Sequence, residues 1–99
     1  MDIMTYIGVG KEAAITRREI ARLTNLPDRA VRKQIEAARR NGELIVNAGD
    51  GAGYYISNNI EELMRQYRMN ESRAMSILVQ QKFLRRRIKE LKEQEEQKC

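Results

Sequence analysis

Three signals between Thr16 and Gly42 divide this stretch into two short helices that meet at a tight turn. Thr16, with Glu19 three residues later, forms a capping box, a pairing that opens a helix by satisfying free backbone amides. Pro27 lacks an amide hydrogen and keeps the preceding residue out of the helical region, so one helix ends before it and another begins there. Asn41 and Gly42 end the second helix, since glycine suits a left-handed cap.

Apolar residues recur at helical spacing in both predicted helices, so each helix is expected to have one inward face. In the second helix these positions are spaced i, i+4 and i+7, which keeps them on one side. The residues expected inside are Ile20, Ala21 and Leu23 from the first helix and Val31, Ile35 and Ala38 from the second.

The opposite side of the second helix is charged. It carries Arg29, Lys33, Glu36 and Arg40, with Arg32 at its flank. Residues 16–42 hold eight basic and three acidic side chains, a net charge of +5 that equals the net charge of the whole chain. A second run, residues 82–89, holds five basic and no acidic side chains. The first segment predicts a polyanionic partner, whereas the second is either an additional phosphate contact or the solvated flank of a coiled coil.

The segment after Gly42 changes to a strand pattern. Residues 44–46 and 54–56 are short runs of β-formers, and the loop between them is rich in glycine, which predicts a β-hairpin. Before Thr16 we expect a short helix over residues 2–8 and a brief strand over residues 13–15. The expected fold class is therefore mainly α with a small β-hairpin (α+β).

The C-terminal part of the chain is expected to be helical to near its end. Asn58 and Asn59 offer N-caps for a helix. The apolar residues that share one side of this helix are Ile60, Leu63, Met64 and Tyr67. Asn70 either caps a new helix or bends the old one, and no glycine or proline follows it. We therefore expect a domain of residues 1–57 followed by a helical extension of residues 58–99, the last helix being long.

Six residues of the last helix follow the 4-3 spacing of a coiled-coil seam: Ala74, Ile77, Gln81, Leu84, Ile88 and Leu91. The seam either completes a core against the chain's own domain or pairs with a second copy. Residues 74–79 are apolar nearly all round, and Phe83 is apolar off the seam, which favours contacts on two sides. We therefore expect a homodimer held by Ile77, Leu84, Ile88 and Leu91, with Gln81 setting the register.

Composition excludes several classes of function. The chain has no His, no Trp and one Cys, which argues against a zinc site, a thiol–histidine catalytic pair and a disulfide framework. We expect no enzymatic activity and no cofactor, and the sequence shows no evident small-molecule effector. No stretch approaches the roughly 20 apolar residues of a membrane span, and the start lacks a signal-peptide pattern. We expect a cytoplasmic protein in which Cys99 is an exposed thiol without a role.

Residues 15–35 carry a resemblance to a known family. The Glu19-Ile20-Ala21 step, the Leu26 before the turn and the Ala30-Val31-Arg32-Lys33 opening of the second helix resemble the winged helix-turn-helix family of DNA-binding proteins. Gly53-Tyr54-Tyr55-Ile56 resembles the wing and its return strand. The chain is also similar to small winged-helix proteins of bacterial prophages and mobile elements. The resemblance covers about residues 13–57, and Pro27 stands where the family usually has Ser or Thr.

The resemblance implies sequence-specific binding of double-stranded DNA, with the second helix in the major groove. Four residues would then read bases: Arg29, Arg32, Lys33 and Gln34. Four would hold phosphates: Arg17, Arg18, Arg39 and Arg40. The expected wing positions are Asn47, Gly49 and Gly51.

The expected role is transcriptional regulation, or a replication or packaging step of a mobile element. The wing has no basic residue and carries Asp50, which weakens its case as a DNA contact. The alternative function is a protein-interaction module, in which the winged helix docks on a partner protein and does not bind DNA.

Overall fold

The computed structural model describes residues 2–97, a mainly helical chain with one two-stranded antiparallel sheet and a long C-terminal helix. Its elements are α1 (Arg17–Thr24), α2 (Asp28–Arg40), β1 (Ile45–Asn47), β2 (Tyr54–Ile56) and α3 (Ile60–Gln97), after 3-10 turns at Ile3–Thr5 and Lys11–Ala13. The chain divides into two compact units, Met1–Gln66 and Tyr67–Cys99. Cys99, which we expect to be an exposed thiol, lies outside the described residues.

The local signals that predict α1 and α2 act as expected. The Thr16 hydroxyl accepts a hydrogen bond from the Glu19 amide at 3.1 Å and so caps α1. Only half of the expected capping box forms, because the Glu19 carboxylate binds Arg22 instead of the chain before the helix. Pro27 is the N-cap of α2, and Gly42 follows that helix with a φ of 96°.

The segment before Thr16 is less regular than the sequence pattern predicts. The short helix expected over residues 2–8 is one 3-10 turn, Ile3–Thr5, in which the Asp2 carboxylate accepts the Met4 amide. The segment before Gly8 has too few residues to form a helix that is stable alone. The brief strand expected over residues 13–15 is reduced to Ile15, which bridges to Tyr54.

The main hydrophobic core lies between the two helices and the hairpin. Its buried residues are Ile3, Ile7, Ile20, Val31, Ile35 and Ile45, with Ala38 packed against them. The expectation that Leu23 points inward is wrong, since 42% of its surface is exposed. Leu26, in the turn after α1, packs against the core instead. A second cluster joins Val46, Ala48 and Tyr55, and Leu63 of α3 covers it.

The hairpin pairs Ile45 with Ile56 and Asn47 with Tyr54, so β1 starts one residue later than the pattern predicts. Backbone segments from the N-terminal part also hydrogen bond to β2. The Ile56 amide donates to Gly8, and the carbonyl of Ile56 accepts from the amide of Gly10. The bonds between Ile15 and Tyr54 run in both directions, at 3.0 and 2.8 Å. β2 is therefore fixed by chain segments far from it in sequence.

The first turns of α3 belong to the N-terminal unit. Asn59 caps the helix by accepting the Glu62 amide at 3.1 Å, as its position predicts. The buried Gln66 accepts the backbone amide of Asn47 at 2.9 Å. These contacts explain why the unit ends at Gln66, whereas the sequence pattern predicts a boundary after residue 57. On the side of α3 that the pattern marks as apolar, Leu63 is partly buried, but Ile60, Met64 and Tyr67 are exposed.

Residues 67–97 form one uninterrupted helix that passes through Asn70 without a break. Every residue of this stretch is exposed in the single chain, including the expected dimerisation residues Ile77, Leu84, Ile88 and Leu91. Within residues 2–97, no helix has both the length and the apolar character that crossing a bilayer requires.

We expect Gly53→Ala to destabilise the N-terminal unit. A Cβ at residue 53 would lie 1.9 Å from the carbonyl oxygen of Ile15, and φ there is 107°, a region that side chains rarely adopt. The free energy of unfolding in urea should fall by at least about 2 kcal/mol. Gly49→Ala is the matched control, because nothing lies within 4 Å of its Cβ position, and its change should stay within about 0.5 kcal/mol. Equal effects would contradict the close approach of Gly53 to Ile15.

Candidate nucleic-acid interface

The outward side of α2 carries four basic residues, which we call the basic face: Arg29, Arg32, Lys33 and Arg40. All four are exposed, because the buried Val31 and Ile35 fix the opposite side of the helix on the core. Among the described residues, the side chains of Arg29, Lys33 and Arg40 have no hydrogen-bond or ion-pair partner. Glu36 is exposed on the same side of the helix. The basic face therefore offers uncompensated charge to a partner.

Asp28 neutralises part of the basic charge at the start of α2. Its carboxylate accepts a hydrogen bond from Arg17 and lies 3.4 Å from the Nε of Arg32. The Tyr54 hydroxyl also accepts from Arg17, at 3.3 Å. Both contacts raise the pKa of Arg17, the one with Asp28 contributing most. Arg17, expected to hold a phosphate, is thus bound within the domain, while Arg32 stays on the basic face with a weak, exposed pairing.

Two arginines of α1 differ in how they are paired. Arg22 donates two hydrogen bonds to the Glu19 carboxylate one turn earlier, and these bonds lower the pKa of Glu19. Arg18 is exposed and has no side-chain partner among the described residues. Arg18 lies in the first turn of α1, where the helix dipole also favours an anion. Its side chain is therefore available to an anion, and its role as a phosphate contact stays a prediction.

Arg39 is used inside the domain. Its guanidinium donates to the backbone carbonyl of Ile45 at 3.1 Å and to the Asn47 side chain at 2.7 Å, and it lies 5.7 Å from the centre of the Tyr54 ring. We therefore assign Arg39 to holding the hairpin on the end of α2 rather than to a phosphate. Arg40, one residue later, points outward and remains exposed.

Gln34 does not share the basic face. It is five positions from Arg29, which turns it about 140° around the helix. Gln34 is partly buried and lines a small cleft with Met4, Ala37 and Asn41. Of the four residues expected to read bases, the structure brings together Arg29, Arg32 and Lys33 and leaves Gln34 on a different side.

The tip of the hairpin is close to neutral. Gly49 and Gly51 are exposed, as expected for a loop tip, but Asn47 is engaged by Arg39 and Gln66. Asp50 accepts the Ala52 amide and lies 3.5 Å from the Nζ of Lys11. These two contacts, the amide first, lower the pKa of Asp50. Within residues 2–97, Lys11 is therefore the basic side chain that pairs with the tip.

Sequence reasoning missed Lys11 and Gln66. Lys11 and Asp50 are far apart in the chain, and 19 residues separate Asn47 from Gln66. A buried glutamine in a helix next to a hairpin is a polar group that needs a partner, but the sequence does not indicate which one. The Arg22–Glu19 pair, by contrast, has the i,i+3 spacing of a helix surface pair and was readable from the sequence.

The described residues thus combine a basic helix face, the unpaired Arg18 and a small hairpin. No cluster of three or more acidic or cysteine side chains among residues 2–97 is arranged to hold a metal ion. Comparisons of this chain with protein-family profiles, with curated proteins and with solved structures find no match.

We expect Arg39→Met to loosen the hairpin. The change keeps the aliphatic stem but leaves the Ile45 carbonyl and the Asn47 side chain without their donor, which should lower the free energy of unfolding by about 1–3 kcal/mol. Arg40→Met removes the same charge from an exposed site and should stay within about 0.5 kcal/mol. Urea unfolding followed by circular dichroism measures both. A larger loss at Arg40 would reject the assignment of Arg39 to the hairpin.

Proposed function

We propose that the chain is a winged helix-turn-helix protein that binds double-stranded DNA by inserting α2 into the major groove. The observation that carries the proposal is the basic face, where Arg29, Lys33 and Arg40 lie exposed without a partner among the described residues. Unpaired cations in a row along a rigid helix are suited to the closely spaced phosphates and acceptor-rich base edges of a duplex.

The size of α2 supports the proposal. Its 13 residues span roughly 20 Å, and a helix with its side chains fits a groove about 12 Å wide. Arg29 and Lys33 lie in its N-terminal half, the part of a recognition helix that meets base edges. Arg at such a position can bind guanine with two hydrogen bonds. Arg18 and Arg40 flank this region in the chain and serve as phosphate contacts.

The order of elements also supports the winged-helix assignment. A hairpin follows α2 directly and is held by Ile15, just before α1, through paired backbone bonds. Asp50 makes the tip a poor phosphate contact, so the hairpin acts mainly as a brace for α2 through Arg39. The role that fits this chemistry is a bacterial transcriptional regulator, or a replication or packaging accessory of a mobile element, in the cytoplasm.

Binding to mixed-sequence duplex should depend steeply on salt. On mixed-sequence duplex, where no base is read specifically, Arg29 and Lys33 also lie against phosphates, so that together with Arg18 and Arg40 four phosphates are neutralised and log K falls against log salt with a slope of roughly −3.6. Fluorescence anisotropy of a labelled duplex, recorded at salt concentrations from roughly 50 to 300 mM, measures this slope. Absence of binding at the lowest salt would reject the proposal. It would leave the protein-docking alternative, which a hairpin tip without net basic charge favours.

Substitutions should distinguish residues that contact phosphates from residues that read bases. Arg18→Ala should weaken binding to all duplexes alike and reduce the salt slope by about 1. The double variant Glu19→Ala with Arg22→Ala is its matched control on the same helix and should change little, because it removes an ion pair whose net charge is zero. Arg29→Ala should cost about 1–3 kcal/mol on a selected site and less on mixed sequence. A uniform loss across all three variants would contradict these roles.

A further inference from the structure

We infer that residues 67–97 of α3 pair with the same helix of a second copy in the antiparallel direction, with the two-fold axis between Gln81 and Leu84. The inference does not rest on DNA binding. It starts from the fact that every residue of this 31-residue stretch is exposed in the single chain. Exposed fractions of 55% at Ile77, 58% at Leu84 and 53% at Ile88 are far more apolar surface than a helix in water leaves uncovered.

The occupant of this surface is indicated by the symmetry of the seam. With Ala74, Gln81 and Ile88 at a positions, the d positions are Ile77, Leu84 and Leu91. When two such helices run antiparallel, each a residue lies level with a d residue of the partner. Ala74 then faces the partner's Leu91, Ile77 faces the partner's Ile88, and Gln81 faces the partner's Leu84. Each layer of the seam therefore pairs a seam residue of one helix with a seam residue of the partner, taken in reverse order.

Side-chain volume favours this direction over the parallel one. An in-register parallel pair would set Ala74 against Ala74 and Leu91 against Leu91, a thin layer and a thick one. The antiparallel pair sets the small Ala74 against the large Leu91 at both ends, so the helix separation stays even. A shallow groove is lined by Leu78, Gln81, Leu84, Arg85 and Ile88, and the last four have the i, i+3, i+4, i+7 spacing of the holes that receive coiled-coil knobs.

Charge favours the same direction. In a parallel pair, residues 82–89, with five basic and no acidic side chains, would lie directly beside the same residues of the partner. In the antiparallel pair they lie level with the partner's residues 76–83, which hold only Lys82 as a charge. The acidic stretch of residues 90–97 then lies level with the partner's residues 68–75, which carry two arginines and one glutamate.

The charges at the positions that flank the seam also favour the antiparallel direction. Antiparallel helices bring e positions beside e positions and g beside g. Glu71 then lies beside the partner's Lys92, and Leu78 lies beside the partner's Arg85. No flanking pair in this arrangement brings together two charges of the same sign. A parallel arrangement would instead place Arg87 beside the partner's Lys92.

A pair of double variants tests whether the seam holds the dimer. Wild-type protein at tens of micromolar should sediment as a dimer, and Leu84→Asp with Ile88→Asp should sediment as a monomer with its helix content kept. Val79→Asp with Phe83→Asp is the matched control. It has the same i,i+4 spacing and similar exposure in the single chain, 55% and 59%, but lies off the seam. A monomeric wild type, or a control that also dissociates, would overturn the inference.

Cysteine cross-linking tests the direction. In a Cys99→Ser background, Ala74→Cys and Leu91→Cys are made as separate full-length variants and oxidised alone and mixed. The antiparallel pair predicts a disulfide-linked heterodimer only in the mixture, identified by its mass. Cross-linking of each variant with itself would show a parallel pair and overturn the direction.

Discussion

The two backbone hydrogen bonds between Ile15 and Tyr54 are the contact on which the N-terminal unit depends. They join the residue just before α1 to the return strand of the hairpin, which follows α2. Gly53 allows the approach, because any side chain there would collide with the Ile15 carbonyl. Once Tyr54 is fixed, its hydroxyl reaches Arg17 and its ring lies beside Arg39. One strand residue therefore positions an arginine at the start of α1 and another near the end of α2.

This arrangement decides which of the basic side chains remain available. Residues 16–42 contain eight cations, but Asp28, Glu19 and the hairpin engage Arg17, Arg22 and Arg39. The exposed ion pairs of Arg17 and Arg22 contribute little to stability. Their consequence is spatial, since they leave the unpaired charge on Arg18 and on the basic face. The positions of the few carboxylates in residues 16–42 therefore indicate which cations are available to a partner better than the net charge of the segment does.

The elements that sequence reasoning predicted well are those encoded within a few residues. Thr16, Pro27 and Gly42 act on their immediate neighbours, so the ends of α1 and α2 could be read directly. The prediction that Leu23 points inward was wrong. Whether Leu23 or Leu26 packs against the core depends on the tertiary packing of the turn. For the site, the basic face followed from helical periodicity.

The structural roles of Arg17, Arg39 and Gln66 could not be predicted from the sequence in the same way. Arg17 meets Tyr54 37 residues away, Asn47 meets Gln66 19 residues away, and Arg39 meets the hairpin only because the hairpin folds back. Periodicity fixes the side of a helix on which a residue lies, but not what the rest of the chain brings there. Gln34 is a different case, because its angle of about 140° from Arg29 around α2 follows from helical periodicity and directs it to a cleft instead of the basic face.

The second basic segment connects the two proposals physically. In an antiparallel pair, residues 82–89 of the two helices lie on either side of the axis, so ten basic side chains occupy a belt roughly 21 Å long. The belt contains no carboxylate, although Glu90 at its edge binds Arg87. Like charges so close repel, and salt weakens that repulsion within a Debye length of about 8–10 Å. Salt also weakens contacts between cations and phosphates. If α3 pairs with itself and α2 binds a duplex as proposed, salt should strengthen the first interaction and weaken the second, whereas a polyanion lying along the belt should relieve the repulsion and favour both at once.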